Sequence, residues 1–355
     1  MSFLQKFKAV FFEDKVREKI KIRLENYFSF LEEKDFLKNH PFYEFVKKVN
    51  EDGFKYIESL FKREILKMDE KENFYVYEQE FKIFEKNYLR KGLLCSFNMD
   101  YENKIFPHEQ IFDFAAEIHK DFYEKSKLNF EPVLLLYKGE KINNFIEKEE
   151  FLFETQDEYG EIHRIKRCDL RKDFFDIINK SELVIADGHH RFEAIRKSKF
   201  KKRLTLIFSI EDENLKVLPT HRGAFINKKY LEHLINKSTK IEESEFENFL
   251  KNLKNPYLIF FNGHNFYLLK GEKNLSVEYL HNDILKDNKE KIGFYRDYKS
   301  LVNDVKLKKF NVAFFLPPIT PEIVFEYAIK KIKFPPKSTD FYPKTLCGFI
   351  GLKLV

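Results

Sequence analysis

The segment Leu183–Val184–Ile185–Ala186–Asp187–Gly188–His189–His190–Arg191–Phe192–Glu193–Ala194–Ile195 decides the reading of this 355-residue chain. An apolar run enters a single glycine, and helix-forming residues follow at once. That is a buried strand turning directly into a helix, the unit from which α/β sheets are built. Gly188 takes a positive φ or lets a ligand approach the backbone closely. The N–H groups of the first helical turn have no intrahelical partner, so the turn is suited to an anion. Arg191 is in that turn, at an expected exposed element end, where its guanidinium can grip phosphate or carboxylate through two parallel hydrogen bonds. Asp187 ends the strand, where ligands bind in open α/β sheets. A purely structural alternative has Asp187 capping the helix and Arg191 paired with a neighbouring carboxylate. His189 and His190 weigh against it, because four polar side chains buried at one strand end without partners are costly.

Working outward, the pattern predicts strands at 73–84, 92–99 and 132–137, with 73–84 half-exposed. It places a helix between the last two, with Pro107 near its start. Residues 150–168 read as two strands joined at Glu158–Tyr159–Gly160, followed by a helix, the strand at 182–187, the helix after His189 and a strand near 203–212. Asp14–Lys34 carries Val16, Ile20, Ile22, Leu24, Phe28 and Leu31 near a helical stripe, and 40–67 continues in that manner. Helices are expected at 228–237, 244–253, 298–306 and 321–331, and strands at 257–261, 266–269 and 312–316. The expected organisation is a mostly helical segment at 1–72, an α/β core at 73–227 and a second α/β portion at 228–332. A C-terminal loop and strand, 333–355, returns to the site. The fold class is α/β (α+β), with mixed sheets and flanking helices.

Three further segments mix charged, imidazole and hydroxyl groups. Pro107–His108–Glu109 reads as a helix opening, where His with Glu can do acid–base work, hold a metal or simply cap the helix. Thr220–His221–Arg222 follows a strand and turn. Lys337–Ser338–Thr339, Tyr342 and Lys344 occupy a Pro-bounded irregular loop whose cations and hydroxyls suit phosphate, or merely order a surface. The four segments are expected to converge on one pocket, because scattered polar clusters at element ends make sense around one ligand.

Composition narrows the function classes. The 64 Lys+Arg against 58 Asp+Glu leave a surplus of only +6. With no basic tail, nucleic acid is not an expected partner. The chain has 42 Phe, 18 Tyr and no Trp, a composition bias rather than a binding surface. Cys95, Cys168 and Cys347 are odd in number and far apart, which excludes a disulfide framework and a Cys-built zinc site and leads us to expect reduced thiols. No secretory leader and no uncharged 18-residue apolar stretch occurs, so a soluble cytoplasmic protein is expected. GxGxxG, GxxxxGK[ST], GxSxG and HExxH are all missing.

The set PHE at 107–109, ADGHHRFEA at 186–194, LPTHR at 218–222 and PPKSTDFYPKTLCGFIGL at 335–352 resembles the domain-of-unknown-function 1015 family. FYVYEQEF at 74–81 and the strand start at Arg90–Gly92 add to it, and the likeness runs from about Asn73 to Val355. The Asp-Gly-His-x-Arg turn is also similar to that of ParB/sulfiredoxin-like proteins, which include free-serine kinases. The Pro-Pro-Tyr-Asp element that family members carry near the N-terminus is absent here. The resemblance implies a ParB/sulfiredoxin-like core and a nucleotide or phosphate pocket lined by Asp187, His189, His190 and Arg191. Asp187, His189 and Glu109 are then the catalytic candidates. Gly188, His190, Arg191, His108, Thr220, His221, Arg222, Lys337, Ser338, Thr339, Tyr342 and Lys344 are the phosphate-binding candidates. The expected ligands are ATP or ADP with Mg²⁺ and a small hydroxyl compound such as serine, giving a phosphotransferase. The alternative is a nucleotide- or ligand-binding regulatory protein without chemistry.

Overall fold

Strand Leu183–Asp187 is buried from Leu183 to Ala186. It pairs antiparallel with Val133–Tyr137 and parallel with Ile105–Pro107. Wholly apolar strands of this kind need cover on both faces, which explains their continuous hydrophobic runs. In the computed structural model, which describes residues 3–23, 39–109, 111, 113–286 and 292–354, they lie near one end of a nine-stranded mixed sheet. Its path runs Ile146–Gln156, Ile162–Leu170, Phe74–Ile83, Lys86–Asn98, Lys202–Ser209, Val133–Tyr137, Leu183–Asp187, Ile105–Pro107; Leu4–Gln5 pairs beside Lys86–Asn98. Helices Asp113–Ser126 and His189–Arg196 accompany it. The fold class is therefore the mixed α/β one.

The chain divides into two units. The first comprises Met1–Lys216, Val324–Ile332 and Pro343–Val355; the second comprises Val217–Ile323 and Lys333–Tyr342. The first unit also holds a four-stranded sheet in which Ala9–Phe12 runs between Leu66–Met68 and Gly351–Lys353, with Leu128–Asn129 on the far side of Gly351–Lys353. Ile22–Arg23 pairs with Leu346–Cys347. The second unit has a six-stranded sheet in the order Thr239–Ile241, Phe266–Lys270, Tyr257–Phe261, Val312–Phe315, His221–Ala224, Gly293–Tyr295. Phe246, Phe261, Phe266, Leu301, Val305 and Phe315 form its core.

Several local expectations are corrected. The helical stripe from Asp14 ends at Ile20, and Ile22–Arg23 is a strand, because it finds a partner over 300 positions away that periodicity does not see. Leu24, Phe28 and Leu31 lie outside the described residues. Strands Leu4–Gln5, Ala9–Phe12 and Leu66–Met68 also interrupt the helical reading of that segment. Gly53, with φ of 58°, separates helices Pro41–Asp52 and Phe54–Lys62. Pro107 ends a strand, and among the described residues the helix is Asp113–Ser126. The strand at Phe74–Ile83 is buried over its first six residues, because it pairs on both sides within the large sheet. The C-terminal loop contains strand Asp340–Tyr342. Among the described residues no helix is long and apolar enough to cross a membrane.

Candidate functional site

Gly188 adopts φ 94° and ψ 33°, the left-handed region that side chains resist. It also leaves room: a Cβ there would be 2.8 Å from the Arg191 guanidinium. Arg191 is thus folded back over the glycine. It is 5% exposed and not at an open element end, which corrects the sequence expectation. One Nη donates to the Pro132 carbonyl at 2.6 Å and the other to Asp187 Oδ2 at 2.6 Å. The Arg191 carbonyl accepts from the buried Arg203 guanidinium. The turn is therefore fixed at both ends of its arginine.

Asp187 gathers a second cation. Its Oδ1 is 3.4 Å from Lys344 Nζ, and its side chain keeps about a third of its surface exposed. Burial acts to raise the Asp187 carboxyl, but Lys344, Arg191 and His189 outweigh it and hold it below the usual carboxylate range. The carboxylate is charged at every ordinary pH.

His189 is buried at the first helical position. Its Nε2 accepts from the His108 backbone N–H at 3.3 Å, which in the neutral ring leaves the proton on Nδ1. Nδ1 is 3.7 Å from Glu109 Oε2. The His108 and His189 rings meet edge to face, centroids 4.6 Å apart. His190 is half-buried in the same helical turn. The chain thus brings Asp187, Gly188, His189, Arg191, His108, Glu109 and Lys344 together in the first unit. The arrangement offers a lysine, a helix N-terminus and a Glu–His pair around a constrained turn.

The other candidates belong to the second unit. His221 and Arg222 are interior to its sheet on strand His221–Ala224. Arg222 Nη2 donates to the carbonyls of Lys337, at 2.9 Å, and Pro336, at 3.2 Å. Its Nε donates to His281 Nε2 at 3.2 Å, and Nη1 donates to the Thr220 carbonyl. Arg222 therefore ties the segments 220–222 and 336–337 together. His221 Nδ1 accepts from the Leu316 N–H, and burial with Arg222 nearby lowers its pKa to about 4. Ser338 Oγ donates to the Pro335 carbonyl at 2.5 Å. Tyr342 has Arg296 over its ring at 5.3 Å, and Arg296 pairs with Asp340 at 2.6 Å. Thr339 is half-buried beside Asp340.

Sequence reasoning missed Arg203, Gln79 and Arg296, whose roles depend on distant backbone carbonyls or carboxylates. A further cluster, Asp157, Glu161 and His163, has metal-ligand chemistry. Arg23 is already among these groups, 2.7 Å from Asp157 and bonded to Glu161, so it serves as their cation.

A model of the family described as "Protein of unknown function (DUF1015)" matches residues 31–297. Among curated proteins no match is found. Among solved structures, one described as "Free serine kinase in complex with AMP" is similar at 17% identity, covering 74% of this chain and 91% of that one, with TM-score 0.41. A conserved hypothetical protein from Pyrococcus furiosus is similar at 19% identity over 71% and 93% of the chains, TM-score 0.37. SbnI from Staphylococcus aureus, truncated at its C-terminus, gives 14%, 72%, 85% and 0.41 respectively.

Proposed function

We propose, from the premise that this chain belongs to the DUF1015 family, that the Asp187–Arg191 turn binds the phosphate groups of a nucleotide such as ATP or ADP. The observation that carries this reading is the conjunction of the left-handed Gly188, the following helix N-terminus and Lys344 beside Asp187. Backbone N–H groups at such a turn attract an anion, and a lysine supplies a point charge for phosphate. The likeness of the Asp-Gly-His-x-Arg turn to that of ParB/sulfiredoxin-like proteins supports the same reading. His190 belongs to this phosphate-binding set, while Thr220, His221, Arg222, Lys337, Ser338, Thr339 and Tyr342 are candidates for phosphate within the second unit.

A phosphotransferase acting on a small hydroxyl compound such as serine needs a group to orient or deprotonate the hydroxyl. Glu109, half-exposed and backed by His189, takes that role. Asp187 serves as the counter-charge that holds Arg191 and Lys344 in place. Both its oxygens already face cations of the chain, so the residues present do not form a ready Mg²⁺ site on Asp187. Mg²⁺ would arrive on the nucleotide phosphates, as is usual for this ion. A binding protein without chemistry is the second reading. It is favoured by the full engagement of Asp187 and of both Arg191 Nη atoms.

Calorimetric titration with ADP, ATP and pyrophosphate, each with and without Mg²⁺, tests the binding reading. Saturable binding that is weakened in Lys344→Met is expected; no binding by the wild type defeats it. Incubation with ATP and a panel of hydroxyl compounds including serine then separates the readings. A phosphorylated product that disappears in Glu109→Gln supports transfer, and nucleotide binding without any product supports the second reading.

A further inference from the structure

Lys344 is not on a helix or strand. It lies between strands Asp340–Tyr342 and Leu346–Cys347, outside any regular element. What fixes it is a row of side chains on the large sheet. Tyr77 and Gln79 are two apart on strand Phe74–Ile83 and so share a face. Arg90 is directly opposite Gln79 in the antiparallel register. All three are fully buried.

Their polar atoms converge on the backbone that carries Lys344. Arg90 Nη2 donates to the Pro343 carbonyl. Gln79 Nε2 donates to the Lys344 carbonyl at 3.1 Å. The Leu346 N–H donates to the Tyr77 hydroxyl at 3.1 Å. The Gln79 amide is itself oriented, because its Oε1 accepts from Arg90 Nε at 2.9 Å and Nη2 at 2.6 Å. The amide nitrogen therefore points away from Arg90, toward the Lys344 carbonyl and, at 3.4 Å, His163 Nδ1.

We propose that Gln79 and Arg90 form a clamp that positions Lys344 for the anion bound at the Asp187–Arg191 turn. This rests on the phosphate-binding reading above. Gln79 and Arg90 are positioning residues: they act through the Lys344 backbone. The ligand recognised is the phosphate end of a nucleotide, and the clamp sets how much of the Lys344 charge reaches it.

The test is a double-mutant cycle on the full chain, with ADP as probe. Gln79→Glu keeps the size of the side chain and gives Arg90 a stronger acceptor, but replaces the donor facing the Lys344 carbonyl with an acceptor. Its melting temperature should fall, because two acceptors then face each other in a buried site, so affinity is read well below the melting temperature of both chains. ADP binding should weaken about three- to tenfold, the effect of one hydrogen bond. In a Lys344→Met background Gln79→Glu should have no further effect, since the lysine it positions is gone. A purely structural role would instead give losses that multiply in the double variant, and that result overturns the clamp. Unchanged ADP affinity in Gln79→Glu also overturns it. If Gln79→Glu does not fold, Gln79→Met enters the same cycle with the same two outcomes. The reading beneath the clamp fails separately: Lys344→Met then binds ADP like the wild type, or the wild type binds no ADP, and the clamp falls with it.

Discussion

Arg191 shows how burial changes the weight of a single side chain. Its guanidinium bridges the Pro132 carbonyl and Asp187 above a glycine that leaves it room. Arg191→Ala removes two hydrogen bonds, one to the Pro132 carbonyl and one to Asp187. We expect a stability loss of about 1–3 kcal/mol together with weaker ADP binding, measured by urea unfolding and calorimetry. Arg191→Lys should recover only part of each, because an ammonium cannot span both acceptors. Unchanged stability in Arg191→Ala would show that the bridge contributes nothing. His221 gives a pH prediction. Burial lowers its pKa to about 4, below the ordinary 6.5, so the unfolded chain takes up the proton first. Its contribution is fully present above pH 6.5 and is lost as the pH falls toward 4. His221→Asn keeps an acceptor for the Leu316 N–H but cannot titrate. Urea midpoints between pH 4 and 7 should therefore fall more steeply for the wild type, and parallel curves would refute the assignment.

At the scale of elements, the strand-to-helix turn depends on Gly188 twice. A Cβ there would have to adopt φ 94° and would approach the Arg191 guanidinium to 2.8 Å. Gly188→Ala should cost about 1–3 kcal/mol and displace Arg191 from Asp187. A crystal structure of the variant with the 2.6 Å contact intact would contradict this. The sequence showed this turn because its parts are adjacent: apolar run, glycine, helix formers. It also showed the hairpin around Gly160 and helix Tyr298–Lys306, whose pattern and caps are local. It did not show strand Ile22–Arg23, whose pairing partner is Leu346–Cys347.

At the scale of the molecule, the first unit is closed by its last residues. Gly351–Lys353 pairs with Ala9–Phe12 and Leu128–Asn129, while Phe349, Ile350 and Leu354 are buried. Deleting 343–355 removes two strands of this unit as well as Lys344. Loss of the tyrosine near-UV dichroism and of cooperative melting is expected, and a truncated chain that melts like the wild type would sink the idea. The three cysteines are free and buried. Burial raises the thiols of Cys95 and Cys168 to about 12, and that of Cys347 well above its ordinary value. Native protein should react slowly with a thiol reagent and unfolded protein should titrate three thiols; fast native reaction would place a cysteine at the surface.

The sequence by itself determined the mixed α/β class, most of the strands and helices from Phe74 onward, and the strand–glycine–helix turn at Asp187–Arg191. All of these are written in neighbouring residues, through hydrophobic period, glycine and capping chemistry. Tertiary structure alone decided that Arg191 is buried against Pro132 and that Tyr77, Gln79 and Arg90 hold the Lys344 backbone. The physical reason is that a side chain's hydrogen-bond partner at long range is usually a backbone carbonyl or N–H. Every residue type carries these groups, so no residue identity announces them.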